Sequence, residues 1–476
     1  MGLVGALSEA TNASEDALRL LLSVLAGYPL AVIHRTIFYN KPKDVQHLYF
    51  VAVGTALWFF NCGAAIIHAL FAILGAFVIT NYLPGTNASV YAAHILFLGH
   101  LLAGYWTSET DSYDITWTTP FCIMTLRFIG LVMDVYDGRQ DIKTLKDDQK
   151  AMMITDKPGL LEIAAYGLFF QGTLVGPQFG LVKFRSFVNG DWLKNGKPPQ
   201  SAFMPSIGRF LAGCAYMVFH QWGQVWIPDA FFNSDAFFNL PFFWRWTWVT
   251  IWFRLTMYKY CAMWLITEGA SILCGLGHNG KDKDGSEKWD GVRDLHIIKW
   301  ETGHDYTSVV DSFNCGTNNF AKNHLHRRLR WMNNKLLSHV GTLGYLAIWH
   351  GYHLGYFLLF GIELGCVKAQ NELYALINRT PGWSEAISKP IARPFIWIFG
   401  KATISYSMGF AFLMFGLIKT KYWIAPVQSL YFIGFIIYFI VWPIVHIALL
   451  RVLPRKSKTA EADAKKELQQ EAKKEL

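Results

Sequence analysis

The chain has 476 residues, 53% of them hydrophobic and only 16% charged, with 43 Lys and Arg against 34 Asp and Glu for a formal charge of +9. Soluble proteins carry about a quarter charged residues, so this composition excludes an ordinary water-coated globule and points to a polytopic membrane protein. The modest positive excess collects in loops and at the C-terminus, which suits anionic lipid surfaces or phosphate-bearing ligands better than nucleic acid.

In chain order, the first seventeen residues lack the basic start and cleavage site of a signal peptide, so the first apolar segment is expected to stay as a membrane helix. Apolar stretches then recur at Leu18–His34, Tyr49–Leu70, Phe71–Leu83, Val90–Tyr105, Phe121–Val135 and Leu160–Leu174. They continue at Ile207–Trp226, Phe242–Leu276, Val340–Phe360, Pro394–Ile418 and Tyr422–Leu450. Several are short for a crossing or broken by Gly and Pro, so some are expected to tilt, re-enter or lie inside the bundle. The expectation is an all-α polytopic membrane helical bundle of about nine to eleven crossings around a buried chamber. Residues 1–450 would form one domain and residues 451–476 a charged tail. The seven cysteines are scattered without a C-x-x-C pair, which gives no support to a disulfide framework or a zinc site. No internal repeat is visible, which counts against an inverted-repeat transporter.

Polar connections fall at Asn40–Asp44, Asp137–Lys157, Lys183–Pro199 and Gly277–Lys335. The last ends in "AKNHLHRRLRWMNNK", where Arg327, Arg328 and Arg330 stand with no acidic residue among them. Such a run reads either as a juxtamembrane anchor or as a site for a polyphosphate. Asp134 and Asp137 flank a helix end and read as solvated or paired, while His324 and His326 lack metal-ligand partners in the sequence.

Chemistry concentrates in two neighbouring stretches. In "WETGHDYTSVVDSFNCGTNNF", Asn314, Thr317 and Asn318 fall at i, i+3 and i+4, so a helix would present them on one face. They suit either helix–helix hydrogen bonding or a reaction site. The stretch Val340–Phe360 contains no Lys, Arg, Asp or Glu. It is long enough to cross a hydrocarbon core of about 30 Å and sets His350 near its middle. An ionisable group at such a depth is costly and points to function, the alternative being a core histidine bonded to a neighbouring helix. "WHGYHLGY" would put His350 and His353 on one helix face, with Gly351 and Gly355 permitting close contact.

Together these stretches resemble the membrane-bound O-acyltransferases, whose pattern is a Glu, eleven residues, W-N-x-x-T-x-x-W and later W-H-G-x-x-x-G-Y. Here Glu301 is followed after eleven residues by Phe313, Asn314 and Thr317, with Phe320 closing the element, so Phe replaces Trp at both aromatic positions. The second element matches in full from Trp349 through His350, Gly351 and Gly355 to Tyr356. "LAGYW" (Leu102–Trp106), "LVGPQF" (Leu174–Phe179) and "YKYCAMWLITEGASILCGLGHNG" (Tyr258–Gly280) are similar to the lysophospholipid acyltransferases of that family.

The resemblance implies transfer of a fatty acyl group from acyl-CoA, as co-substrate and without a cofactor, to the free hydroxyl of a lysophospholipid, lysophosphatidylcholine first. It implies His350 as general base and Asn314 as oxyanion donor or CoA-orienting group. Thr317, Asn318, Trp349, His353, Gln178 and Glu268 would line the substrate chamber, and Arg327, Arg328 and Arg330 would receive CoA phosphates. The Asn314 segment is expected to dip into the membrane and be reached through a tunnel. The competing class is a transporter or lipid scramblase with His350 as a buried gate. Lys473-Lys474-Glu475-Leu476 fits a dilysine signal for retrieval to the endoplasmic reticulum. The sequons at Asn12, Asn87 and Asn378 carry weight only if the topology exposes them to the lumen.

Overall fold

The computed structural model describes residues 3–11, 13–109 and 115–456. The sequon at Asn12 and the dilysine pair at Lys473 and Lys474 lie outside the described residues. Helix dominates, and among the described residues the only strand-like pairing is three isolated β-bridges. Among the described residues seven helical stretches are long and apolar enough to cross a membrane: Glu15–Phe38, Lys43–Tyr82, Asn87–Thr107, Thr118–Asp137, Gln200–Asn233, Ala392–Gly416 and Ile433–Val452. The Lys43–Tyr82 stretch is broken near Gly63, so its 40 residues form two consecutive helices, Lys43–Cys62 and Ile66–Tyr82.

The remaining apolar stretches differ from the expectation for physical reasons. Leu160–Leu174 is helical only to Gly167, and Phe169, Phe170 and Leu174 beyond it are buried. Its hydrophobicity serves core packing rather than lipid contact. Phe242–Cys274 is a helix of 33 residues, but Arg245, Arg254, Lys259 and Glu268 interrupt its apolar character. Val340–Phe360 is not one helix. It divides between Lys335–His350 and Leu354–Arg379, with Gly351 at φ +133° between them.

Local signals account for several helix ends. Ser14 caps Glu15–Ile33 by accepting from the Ala17 amide at 3.3 Å, and Glu15 and Asp16 complement the helix dipole in its first turn. Asn334 caps Lys335–His350 by accepting from the amides of Leu336 and Leu337 at 3.0 and 3.1 Å.

The chain packs as two compact units. The first comprises Met1–Asp229, Arg254–Trp300 and Val310–Phe357; the second comprises Ala230–Phe253, Glu301–Val309 and Leu358–Leu476. The first unit has a core of Phe50, Phe169, Phe184 and Phe187, whose rings meet at centroid distances of 5.0 to 6.4 Å. Its Thr118–Asp137 helix is 83% buried across the apolar stretch, so its side chains meet protein rather than lipid. The second unit packs Trp252 against Phe232 and Phe412 and joins Tyr306, Tyr438 and Ser407 through hydroxyl bonds of 2.8 and 2.5 Å.

Candidate active site

His350 is the last residue of its helix and is half-buried. Gly351 stops the helix there, because its φ of +133° lies where an L side chain is strained, and a Cβ would press on the Tyr356 ring at 3.1 Å. The His350 ring lies against Trp349 and Tyr356, with centroids 4.6 and 5.8 Å away. Trp349 is pinned at both ends. Its indole N–H donates to the Cys122 carbonyl at 2.9 Å, and its own carbonyl accepts from the Tyr105 hydroxyl at 3.2 Å. The turn also separates the two histidines that the sequence placed on one helical face. His353 lies in the break, with Nε2 3.9 Å from Glu109 Oε1, and the Tyr352 hydroxyl donates to the same carboxylate.

Asn314 does not share a helical face with Thr317 and Asn318 as the spacing predicted. It stands before the helix Cys315–Phe320 in the left-handed conformation, φ 52° and ψ 45°, which asparagine tolerates better than most residues. Thr317 is buried one turn on. The Asn318 amide donates to the carbonyls of Val310 and Phe313 at 2.7 and 2.9 Å, which closes the end of the preceding helix. The side-chain amide of Asn314, unlike that of Asn318, makes no protein hydrogen bond among the described residues. Phe313, in the position of the family's Trp, stacks on Trp300 at 4.6 Å and meets the edge of Trp264 at 4.9 Å, a slot that uses ring area and no indole N–H.

What holds the Asn314 turn was not visible in the sequence. The segment Asp294–His296 pairs with Ser312–Gly316. Leu295 bridges Phe313, the His296 amide donates to Ser312 at 2.9 Å, and the Cys315 amide donates to the Asp294 carbonyl at 3.2 Å. The Asp294 carboxylate then accepts from the Gly316 amide at 2.7 Å and from the Gln178 backbone amide. Asp294 is 4% exposed, and burial pushes its carboxyl up to about 7 against the pull of those two N–H groups. Gly316 is required at this clasp, since a Cβ would stand 2.7 Å from Asp294 Oδ1 and 3.0 Å from Gln178 Cβ.

Gln178 ties the clasp to the Thr118–Asp137 helix. Its amide nitrogen donates to the Ile123 carbonyl at 3.3 Å, and its oxygen accepts from Arg127 Nε at 3.3 Å. Both ends of the amide are therefore engaged within the protein. Arg127, 2% exposed, also donates to the carbonyls of Tyr166, Gly172 and Pro177 and lies over the Phe179 ring at 4.4 Å. One turn of that helix thus receives Trp349 of one motif segment, on carbonyl 122, and Gln178, which packs beside the other at Gly316, on carbonyl 123.

The basic run is largely neutralised. Arg328 makes a two-pronged pair with Asp137 at 2.8 and 2.5 Å, Arg327 pairs with Asp148, and His324 Nε2 lies 2.8 Å from Asp134 Oδ1. Arg330 is exposed. Asp134 and Asp137 are accordingly paired rather than solvated. Glu268 is buried and takes two arginines, Arg209 and Arg293, on a single oxygen. All seven cysteines are free thiols.

The profile of the membrane-bound O-acyltransferase family matches residues 102–409, which include both motif segments, the Thr118–Asp137 helix and the Asp294 clasp. Lysophospholipid acyltransferase 5 of Caenorhabditis elegans is 79% identical over 472 residues, covering 99% of this chain and 100% of that protein. Lysophospholipid acyltransferase 5 of Homo sapiens is 33% identical over 456 residues, covering 95% and 93%. The lysophospholipid acyltransferase of Schizosaccharomyces pombe is 24% identical over 361 residues, covering 72% and 69%. With the family profile spanning well over half of its length and relatives aligned almost end to end, this chain belongs to the membrane-bound O-acyltransferase family.

Proposed function

We propose that the protein is a lysophospholipid acyltransferase of the endoplasmic reticulum membrane, moving a fatty acyl group from acyl-CoA to the free hydroxyl of lysophosphatidylcholine. The observation that carries the reading is that Trp349, next to His350, and Gln178, packed against the Asn314 turn at Gly316, bind adjacent carbonyls of one buried helix. The names of the aligned relatives support the same substrate class.

In the reaction, His350 takes the proton of the lysolipid hydroxyl as its oxygen attacks the thioester carbon. The amide of Asn314, unclaimed by protein acceptors, donates to the thioester oxygen as negative charge develops there. The C–S bond then breaks, and the imidazolium returns its proton to the departing thiolate, so that CoA and the acylated lipid leave with every atom accounted for. The chemistry calls on no cofactor, acyl-CoA being the second substrate. A half-buried base beside Trp349 and Tyr356 is screened from bulk water, which disfavours hydrolysis of the thioester.

The test mixes purified protein with lysophosphatidylcholine and acyl-CoA and follows thiol release, with lysophosphatidylinositol, lysophosphatidylserine, diacylglycerol and a sterol as alternative acceptors. Thiol release that depends on lysolipid, with lysophosphatidylcholine fastest, is expected. Release with none of the lysophospholipids from well-folded protein would refute the reading.

A further inference from the structure

Arg209 and Arg293 meet at one oxygen of Glu268. Arg209 lies in the Phe203–Trp226 helix, Arg293 immediately before Asp294, and Glu268 in the Phe242–Cys274 helix. Each guanidinium places Nε on the same carboxylate oxygen, Oε1, at 3.2 and 3.1 Å. That mode of binding reserves the terminal Nη groups for another acceptor. Among the described residues the Nη groups of neither arginine find one, and the two side chains keep 18% and 24% of their surface exposed. Glu268 is only 1% exposed, and its second oxygen, Oε2, is buried without a hydrogen-bond partner.

Two cations drawn to one oxygen repel each other, and a second anion between them relieves that repulsion. The other carboxylate within electrostatic range of both arginines, Asp290, is already shared with Lys183 and Lys288 and accepts from Asn279 at 2.8 Å. The contrast with the basic run is direct, since Arg327 and Arg328 each have a carboxylate of their own. A phosphate has the planar-fork complementarity that guanidinium Nη groups select. Arg293 also adjoins Asp294, whose carboxylate holds the turn after Asn314, so an anion bound there sits beside the segment that pairs with that turn.

We propose that Arg209 and Arg293, oriented by Glu268, form a receptor for the phosphate ester of a substrate, carried either by the lysophospholipid head group or by CoA. The proposal rests on the acyltransferase reading for the identity of its ligands. In detergent-solubilised full-length protein, KM and kcat are measured for lysophosphatidylcholine and for acyl-CoA, and stabilisation is measured with glycerophosphocholine and with 3′,5′-adenosine diphosphate. Arg293→Gln is expected to raise one KM by about 10- to 100-fold with little change in kcat, the scale of one charge-assisted bond. It should also abolish stabilisation by the matching probe only: glycerophosphocholine if the head group is held, the adenosine diphosphate if CoA is. Arg209→Gln should fall in the same arm. Because that change leaves the buried Glu268 carboxylate with Arg293 alone, Arg209→Gln with Glu268→Gln replaces it where the single variant does not fold. A folded Arg293→Gln protein with both KM values and both probe responses unchanged overturns the receptor, as does a loss confined to kcat. Wild-type protein that binds a probe through Arg293 yet releases no CoA leaves the receptor standing and removes the acyl-transfer reading instead.

Discussion

The His350 segment is fixed by its neighbours in the chain, whereas the Asn314 segment is fixed by residues far from it. Asn334 starts the His350 helix and Gly351 ends it, while Trp349 reaches out to Cys122 and Tyr105 and Tyr345 to the His94 ring. The Asn314 turn has a left-handed residue at its start, a glycine two residues on, and a buried carboxylate from Asp294 closing it against Gln178. One half of the site is therefore a helix end with the proposed base at its tip. The other is a loop whose shape depends on a polar clasp, and such a clasp costs more when half satisfied than when absent. Substitutions near His350 should report on chemistry, and those around Asn314 on positioning as well.

The sharpest division is at His350 itself. His350→Ala is expected to lower turnover by about 10²- to 10⁴-fold, the range for losing a general base, while leaving acyl-CoA binding close to wild type. Single-turnover kinetics beside equilibrium binding checks this, and wild-type turnover in folded variant protein would break the assignment.

At Asn314 the comparison can be tested for its own bias, because the left-handed backbone by itself favours asparagine. Asn314→Asp keeps size and conformation but replaces the amide donor with an acceptor, and is expected to cost about 10²- to 10³-fold in kcat. Asn314→Gly accommodates the backbone with no side chain at all. If asparagine is there for its amide, the glycine variant is as inactive as the aspartate; if it is there for its conformation, the glycine variant works.

A smaller effect is expected at the clasp. Asp294→Ala leaves the Gly316 and Gln178 amides unsatisfied and should cost about 1–3 kcal/mol of stability, together with about a tenfold fall in kcat at unchanged KM. Asp294→Asn retains an oxygen for the Gly316 amide and should recover most of both. Thermal unfolding paired with steady-state kinetics separates the terms; equal loss for Ala and Asn would deny the carboxylate's acceptor role.

Particular residues mark how far the sequence could be read. The W-H-G-x-x-x-G-Y element and the Glu301-to-Thr317 spacing pointed to the family before any geometry was known, because they are contiguous patterns. Apolar periodicity did not distinguish burial in protein from burial in lipid. The Thr118–Asp137 helix, 83% buried, and Ile433–Val452, 11% buried, both read as membrane helices. The run through Leu174, one of the short apolar stretches, could be read as a crossing or as bundle interior and is packed core. The basic run read as an anchor or a phosphate site, and nothing in the sequence showed that Asp137 and Asp148 face Arg328 and Arg327.

By itself, then, the sequence determined a helical membrane protein with a histidine and an asparagine motif in fixed order, since composition, helix caps and short motifs act over a few residues. The tertiary structure decided which polar groups are spent and which remain for a substrate. His324 meets Asp134 across 190 positions and Arg328 meets Asp137 across 191, while Gln178 reaches Arg127 across 51. In a buried setting each such partner settles whether a charge is neutralised or free to bind, and nothing local to either residue records the choice.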